Sequence, residues 1–137
     1  MAVREGLLAL LEDGPSHGYQ LKTAFEAVTG GAWPQTVIIV VSEFGREVAV
    51  NGTLGTDHGT GGAAFVLGGA VKGGRVVADW PGLAKANRFE GRDLRTTTDL
   101  RAVLKGVLAD HLRIASARLD GEVFPGSQGI RPISLLA

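Results

Sequence analysis

A run of β-branched residues is the feature that most constrains how this chain can fold. Five such residues stand in succession at positions 37–41, with the letters VIIVV. The two heavy atoms on each Cβ restrict χ1 and crowd the preceding turn of a helix, so the run favours a strand. Because no polar residue alternates with the apolar ones, it predicts a strand buried on both faces, as in a parallel sheet covered by helices.

The chain after this run has the order of elements that is typical of an α/β protein. A second apolar run, at residues 63–67, predicts another strand, and Lys72-Gly73-Gly74 predicts a tight turn in a short hairpin over residues 71–77. Further on, six apolar residues at helical spacing predict a helix that covers the sheet. They are Leu100, Val103, Leu104, Val107, Leu108 and Leu112. We therefore expect a small, mostly parallel sheet flanked by helices.

Residues 1–34 have a different pattern, in which apolar residues recur at helical spacing. A first amphipathic helix is stopped by the Asp13-Gly14-Pro15 turn, because proline excludes the helical conformation for the residue before it. A second helix begins after Ser16, and Gly30-Gly31 ends it. This pattern predicts an N-terminal helical hairpin over residues 1–34, followed by the α/β segment 35–137. We expect the two to form one folded unit.

The composition of the 137-residue chain excludes several classes of function. The chain has no cysteine, which excludes disulfides, thiol nucleophiles and cysteine-ligated zinc. Its longest apolar run is far shorter than the roughly 18 residues of a membrane span, and its N-terminus lacks the pattern of a signal peptide. Fourteen basic residues balance 14 acidic ones, so no net positive field attracts nucleic acid. We expect a cytoplasmic protein with neither a membrane nor a nucleic-acid partner.

An aspartate and a histidine that are adjacent in the chain are the candidate ligands of a metal site. Asp57 and His58 lie in the loop Gly55-Thr56-Asp57-His58-Gly59 and offer a carboxylate oxygen and an imidazole nitrogen, which suit zinc or manganese. Glu43 is the third candidate, because ligands of open α/β sheets gather beyond the carboxyl ends of the strands. The same pattern is also typical of a turn aspartate beside a surface histidine. We expect at most weak binding of zinc or manganese.

The sequence offers no candidate nucleophile and hence no catalytic residue. Ser42 follows a predicted strand, but neither a Gly-x-Ser-x-Gly elbow nor a His–Asp arrangement accompanies it. Farther along, arginines and acidic residues alternate between Arg88 and Arg101, and this indicates a solvated stretch that includes Arg92 and Asp93. The alternating charges imply no polyanionic partner, and the missing nucleophile favours a protein that is not an active enzyme.

Three motifs of residues 1–34 lie at positions 3–11, 14–21 and 29–34. Together they resemble the start of a PadR-type transcriptional regulator. The resemblance implies a winged helix-turn-helix whose recognition helix begins just after Trp33-Pro34. Here the β-branched run stands at that place, so the helix that would enter the major groove is missing and no DNA-binding residue is assigned.

Four motifs of the later segment lie at positions 40–46, 55–59, 66–74 and 91–94. They resemble the C-terminal part of a bacterial family, the domain of unknown function numbered 1501, which is related to the alkaline phosphatase and sulfatase superfamily. The resemblance spans residues 36–137 and implies that Asp57 and His58 bind a catalytic metal, with Glu43 as a ligand or ligand orienter. The first metal ligands and the nucleophile of active relatives have no counterpart here.

The two resemblances together predict a fusion of a truncated regulator with a truncated phosphatase-like or sulfatase-like domain. We expect this fusion to lack catalytic activity and to bind a divalent metal weakly. A remnant of a PadR-type regulator that binds DNA or dimerises is the alternative. Because the apolar first strand needs cover on both faces, we also expect a homodimer.

Overall fold

The computed structural model describes residues 35–136. The described residues fall into two compact units. The first unit contains residues 35–39, 65–75 and 101–136, and the second contains residues 40–64 and 76–100. The helical hairpin predicted for residues 1–34 lies outside the described residues. The division of the chain between residues 34 and 35 therefore stays a prediction. The prediction that the two segments form one folded unit also stays untested.

The described residues form four short strands in two separate sheets. The strands are β1 (Ile38–Val40), β2 (Gly45–Arg46), β3 (His58–Gly59) and β4 (Phe65–Leu67). β1 pairs with β4 and β2 pairs with β3, both antiparallel. The prediction of a mostly parallel sheet was therefore wrong. A parallel pair needs a crossover, usually a helix, whereas residues 41–64 between β1 and β4 contain only β2, β3 and loops.

β1 lies inside the β-branched run, as the sequence predicts, but it is not buried on both faces. Ile38 and Ile39 are half-buried, whereas Val40 and Val41 are 42% and 48% exposed. A sheet of two strands gives β1 a single neighbouring strand. The uniform apolar pattern therefore reports the β propensity of these residues rather than their burial.

The predicted helix is present as α1 (Leu100–Leu112), and a single turn, α2 (Ser116–Arg118), follows it. Arg113 adopts the left-handed conformation with φ 56°, and the N–H of Ile114 donates to the carbonyl of Leu108, which ends α1. The buried residues of α1 share only Val107 with the predicted apolar stripe. They are Ala102, Lys105, Gly106 and Val107.

The C-terminal segment explains this different face, because it runs along the small residues of α1. The N–H of Ile133 donates to the carbonyl of Ala102 at 3.0 Å, and a side chain at Gly106 would collide with the carbonyl of Ile133. The same segment pairs with Val71, which forms a bridge to Leu136. The prediction of a hairpin over residues 71–77 was therefore wrong, since Val71 pairs with Leu136.

No helix between residues 35 and 136 has the length and apolar character that crossing a membrane requires.

Candidate functional site

The three predicted metal ligands lie in the second unit, on the two segments that β2 and β3 join. Glu43 stands just before β2, Asp57 comes directly before β3, and His58 is the first residue of β3. All three side chains are exposed. Within this unit, the antiparallel pairing of β2 with β3 sets Gly45 opposite Gly59. Two distant parts of the sequence thus become neighbours.

Glycine at both paired positions allows the close approach of these segments. A Cβ at Gly45 would collide with the backbone of Thr60 and Gly61, and one at Gly59 would collide with the backbone of Arg46. Any larger residue would force the two segments apart.

The rings of Phe44 and His58 stack across this junction. Their centroids are 3.9 Å apart and their planes differ by 7°. The N–H of Phe44 donates to the Ser42 hydroxyl at 3.2 Å, so this serine acts as a turn-forming residue before β2. The stack thus links the segment that carries Glu43 to the Asp57–His58 pair.

Asn51 organises the loop that leads to Asp57. Its Oδ1 accepts hydrogen bonds from the N–H of Thr53, the hydroxyl of Thr53 and the N–H of Gly55, at 2.9–3.0 Å. Its Nδ2 donates to Oδ1 of Asp57 at 2.8 Å. The sequence reasoning missed Asn51, although the dipeptide Asn51-Gly52 is a strong turn signal that could have found it. The result is a carboxylate whose position is fixed by its own loop.

Asp57 and His58 are consecutive in the chain, and the β2–β3 pairing together with the Phe44–His58 stack joins the segment of Glu43 to them. Among residues 35–136, no group of three or more histidine, aspartate or glutamate side chains is close enough to hold a metal ion. Zinc and manganese sites ordinarily use three or more ligands, so the described side chains offer a pair of ligands rather than a complete site.

A buried carboxylate lies beside the β2–β3 pair in the same unit. Asp93 is 3% exposed, and Arg92 donates to both of its oxygens, from Nε at 2.7 Å and from a terminal nitrogen at 3.3 Å. Hydrogen bonding by Arg92 lowers the pKa of Asp93 below its ordinary value, and Thr60 adds to this shift while burial opposes it. The alternating charges predicted that Asp93 lies in a solvated stretch. That prediction was wrong for Asp93, which is buried.

Asp93 stands where the chain returns to the β2–β3 pair. The N–H of Leu94 donates to the carbonyl of Arg46 at 2.9 Å, and the N–H of Gly61 donates to the carbonyl of Leu94 at 2.9 Å. Leu94 thus connects β2 to the segment that follows β3 by backbone hydrogen bonds.

Comparison with protein families gives a match over residues 26–122 to the family described as "Protein of unknown function (DUF1501)". The match covers more than half of the chain. The chain belongs to the DUF1501 family. Comparisons with curated proteins and with solved structures found no match.

The match confirms the predicted resemblance to the DUF1501 family itself, over residues 26–122 rather than 36–137, and does not support the resemblance to a PadR-type regulator. The match begins at residue 26, inside the segment 1–34 that resembles a PadR-type regulator, and no PadR match accompanies it. The predicted fusion thus has no support, since family membership crosses its supposed boundary. Glu43, Asp57 and His58 all lie within the matched DUF1501 residues.

Proposed function

We propose that this DUF1501 chain binds one divalent metal ion, zinc or manganese, weakly and without catalysing a reaction. Asp57 and His58 are the ligands, whereas Glu43, the third ligand expected from the sequence, forms no group of three with them in the described residues, and this agrees with weak binding. The observation that carries the proposal is the Phe44–His58 stack, which couples the segment of Glu43 to the Asp57–His58 pair at a ring separation of 3.9 Å.

The local contacts leave ligand atoms free for an ion. Asn51 bonds to Oδ1 of Asp57, and no hydrogen bond within residues 35–136 occupies Oδ2. The stack with Phe44 uses the face of the imidazole, whereas a metal binds in the plane of the ring through Nδ1 or Nε2. Both side chains are also exposed, so an ion can reach them from solvent.

The resemblance to the alkaline phosphatase and sulfatase superfamily supports the same two residues, since there an Asp-His pair ahead of a strand binds a catalytic metal. Hydrolysis would also need a nucleophile. The nearest hydroxyl to Glu43 along the chain is that of Ser42, and within residues 35–136 it donates to no histidine or carboxylate that could take its proton. We therefore expect metal binding without ester hydrolysis.

Calorimetric titration of zinc and of manganese into chelator-treated protein tests the proposal. The double variant Asp57→Ala, His58→Ala removes the principal ligands, while His111→Ala removes a half-buried histidine of α1 and serves as the matched control. We expect wild type and His111→Ala to bind the ion and the double variant to lose binding. Equal heats from wild type and the double variant would refute the proposed ligands.

Homodimerisation, expected from the sequence, also remains a proposal. Several apolar side chains of the second unit are exposed, among them Val50 at 68% and Trp80 at 61%. Association would remove such surface from water. Sedimentation velocity at increasing protein concentration tests this, and a constant monomer mass across the series would exclude a dimer at those concentrations.

A further inference from the structure

We propose that Asn51-Gly52 is a self-modifying site, at which the folded loop promotes loss of ammonia from the Asn51 side chain. The product is aspartate or isoaspartate at position 51. The inference is independent of the proposed metal binding, because it rests on the hydrogen bonds of the Asn51 side chain and on the exposed backbone nitrogen of Gly52.

The first supporting feature is the set of donors on Oδ1 of Asn51. When a backbone nitrogen attacks the side-chain Cγ, negative charge develops on Oδ1. Three donors already contact this oxygen: the N–H of Thr53 at 3.0 Å, the Thr53 hydroxyl at 2.9 Å and the N–H of Gly55 at 3.0 Å. Donors fixed at the oxygen that becomes charged lower the barrier, as in an oxyanion hole.

The second feature is a carboxylate at the leaving nitrogen. Nδ2 of Asn51 contacts Oδ1 of Asp57 at 2.8 Å. As Nδ2 takes up a proton and departs, it gains positive charge, and the adjacent carboxylate stabilises that charge. Oδ1, which gains negative charge, thus contacts hydrogen-bond donors, and Nδ2, which gains positive charge, contacts a carboxylate.

The third feature is the accessible nucleophile at Gly52. This residue is exposed, and no hydrogen bond within residues 35–136 occupies its N–H. Nothing lies within 4 Å of the position that its Cβ would take. A glycine therefore leaves the backbone nitrogen unhindered, and the absence of a competing acceptor leaves it free to react.

The reaction balances without any reagent besides water. The Gly52 nitrogen forms a bond to Cγ of Asn51 and gives up its proton, the bond from Cγ to Nδ2 breaks, and Nδ2 leaves with that proton as ammonia. Water then opens the resulting cyclic imide at either carbonyl. One opening restores the ordinary backbone with aspartate at position 51, and the other leaves an isoaspartyl linkage.

The product changes the charge of this loop. A neutral donor to Asp57 becomes a second carboxylate, so the hydrogen bond from Nδ2 is lost and two negative groups adjoin.

Mass spectrometry of the full chain, incubated without metal at neutral pH, tests the inference. The chain's other asparagine, Asn87, precedes a bulky arginine and donates to the carbonyl of Pro81, so it serves as an internal reference. We expect Asn51 to convert about tenfold faster in the folded protein than in the same chain held in urea. An equal or slower rate in the folded protein would overturn the proposal, because the loop would then protect the amide.

Variants separate catalysis by the loop from the ordinary reactivity of an Asn-Gly pair. Thr53→Val removes one donor to Oδ1, whereas Thr53→Ser keeps it, so the first should slow conversion several-fold and the second should not. Asp57→Ala should slow it in the folded protein and leave the rate in urea unchanged. If both substitutions leave the folded rate unchanged, the hydrogen bonds have no catalytic effect and the inference fails.

Discussion

Lys105 and Asp120 form an ion pair in the first unit. The lysine side chain of this pair is only 2% exposed. Nζ of Lys105 also donates to the carbonyls of Ser127 at 2.9 Å and Ile130 at 2.8 Å. One buried ammonium group thereby ties α1 to the segment that follows α2 and to the C-terminal segment. A charge at this position is tolerated because its three protons all find acceptors.

Replacing Lys105 should destabilise the protein strongly. Lys105→Ala leaves two carbonyls without this donor and leaves the Asp120 carboxylate with the Ser127 hydroxyl as its donor at 3.4 Å, and we expect the free energy of unfolding to fall by about 3 kcal/mol. Urea denaturation monitored by circular dichroism measures this. Lys85→Ala, at an exposed lysine, is the control and should change the value little. A loss no larger than the control's would show that the ion pair contributes nothing.

Gly106 should resist a substitution that normally stabilises helices. Alanine has the higher helix propensity, but its Cβ at position 106 would collide with the carbonyl of Ile133. We expect Gly106→Ala to lower the free energy of unfolding by about 2 kcal/mol through overpacking. Gly121→Ala, where nothing lies within 4 Å, should leave it unchanged or raise it. Similar effects of both substitutions would contradict the packing described for α1.

The Asp93–Arg92 pair should make stability depend on pH in the acid range. Because the pKa of Asp93 in the folded protein lies below its ordinary value, its ionised form stabilises the fold above that ordinary value. The stabilisation is then lost as the pH falls through the folded-state pKa. Urea denaturation at a series of acid pH values should show a smaller decline for Asp93→Asn than for wild type. Asp79→Asn, at an exposed site, should decline as wild type does.

Loss of the Phe44 ring should weaken the proposed metal site. Phe44→Leu keeps an apolar side chain but removes the stack that holds the His58 imidazole. Stacked aromatic pairs contribute about 1 kcal/mol, so we expect zinc affinity to fall roughly fivefold. Calorimetric titration measures this, with Phe65→Leu in β4 as the matched control. Unchanged affinity in Phe44→Leu would show that the stack does not orient the ligand.

The places of the main elements could be predicted from the sequence, but the partners of the strands could not. α1 occupies the predicted apolar stripe, and β1 and β4 lie within the two predicted runs. The predicted parallel sheet and the hairpin over residues 71–77 were wrong, because Val71 pairs with Leu136 and β1 pairs antiparallel with β4. A local pattern carries no information about which distant segment supplies the hydrogen bonds.

The candidate site was partly visible in the sequence. Motifs pointed to Glu43, Asp57 and His58, whose role as ligands stays a prediction. Phe44 and Asn51 were missed, although the structure shows that Phe44 contacts His58 and that Asn51 contacts Asp57. The type of a residue indicates whether it can bind a metal. The residues that hold a ligand in position become evident only from the tertiary structure, because they contact it through folded loops.

The sequence by itself determined where α1 and the β-rich segments form, because β-branching and helical spacing act within a few residues of chain. Tertiary structure decided which charged groups are buried. Lys105 and Asp93 look like surface residues in the sequence, and each is buried in the fold with a charged partner. Burial of a charge depends on acceptors or donors that meet it in space, and for Lys105 these come from Asp120, Ser127 and Ile130.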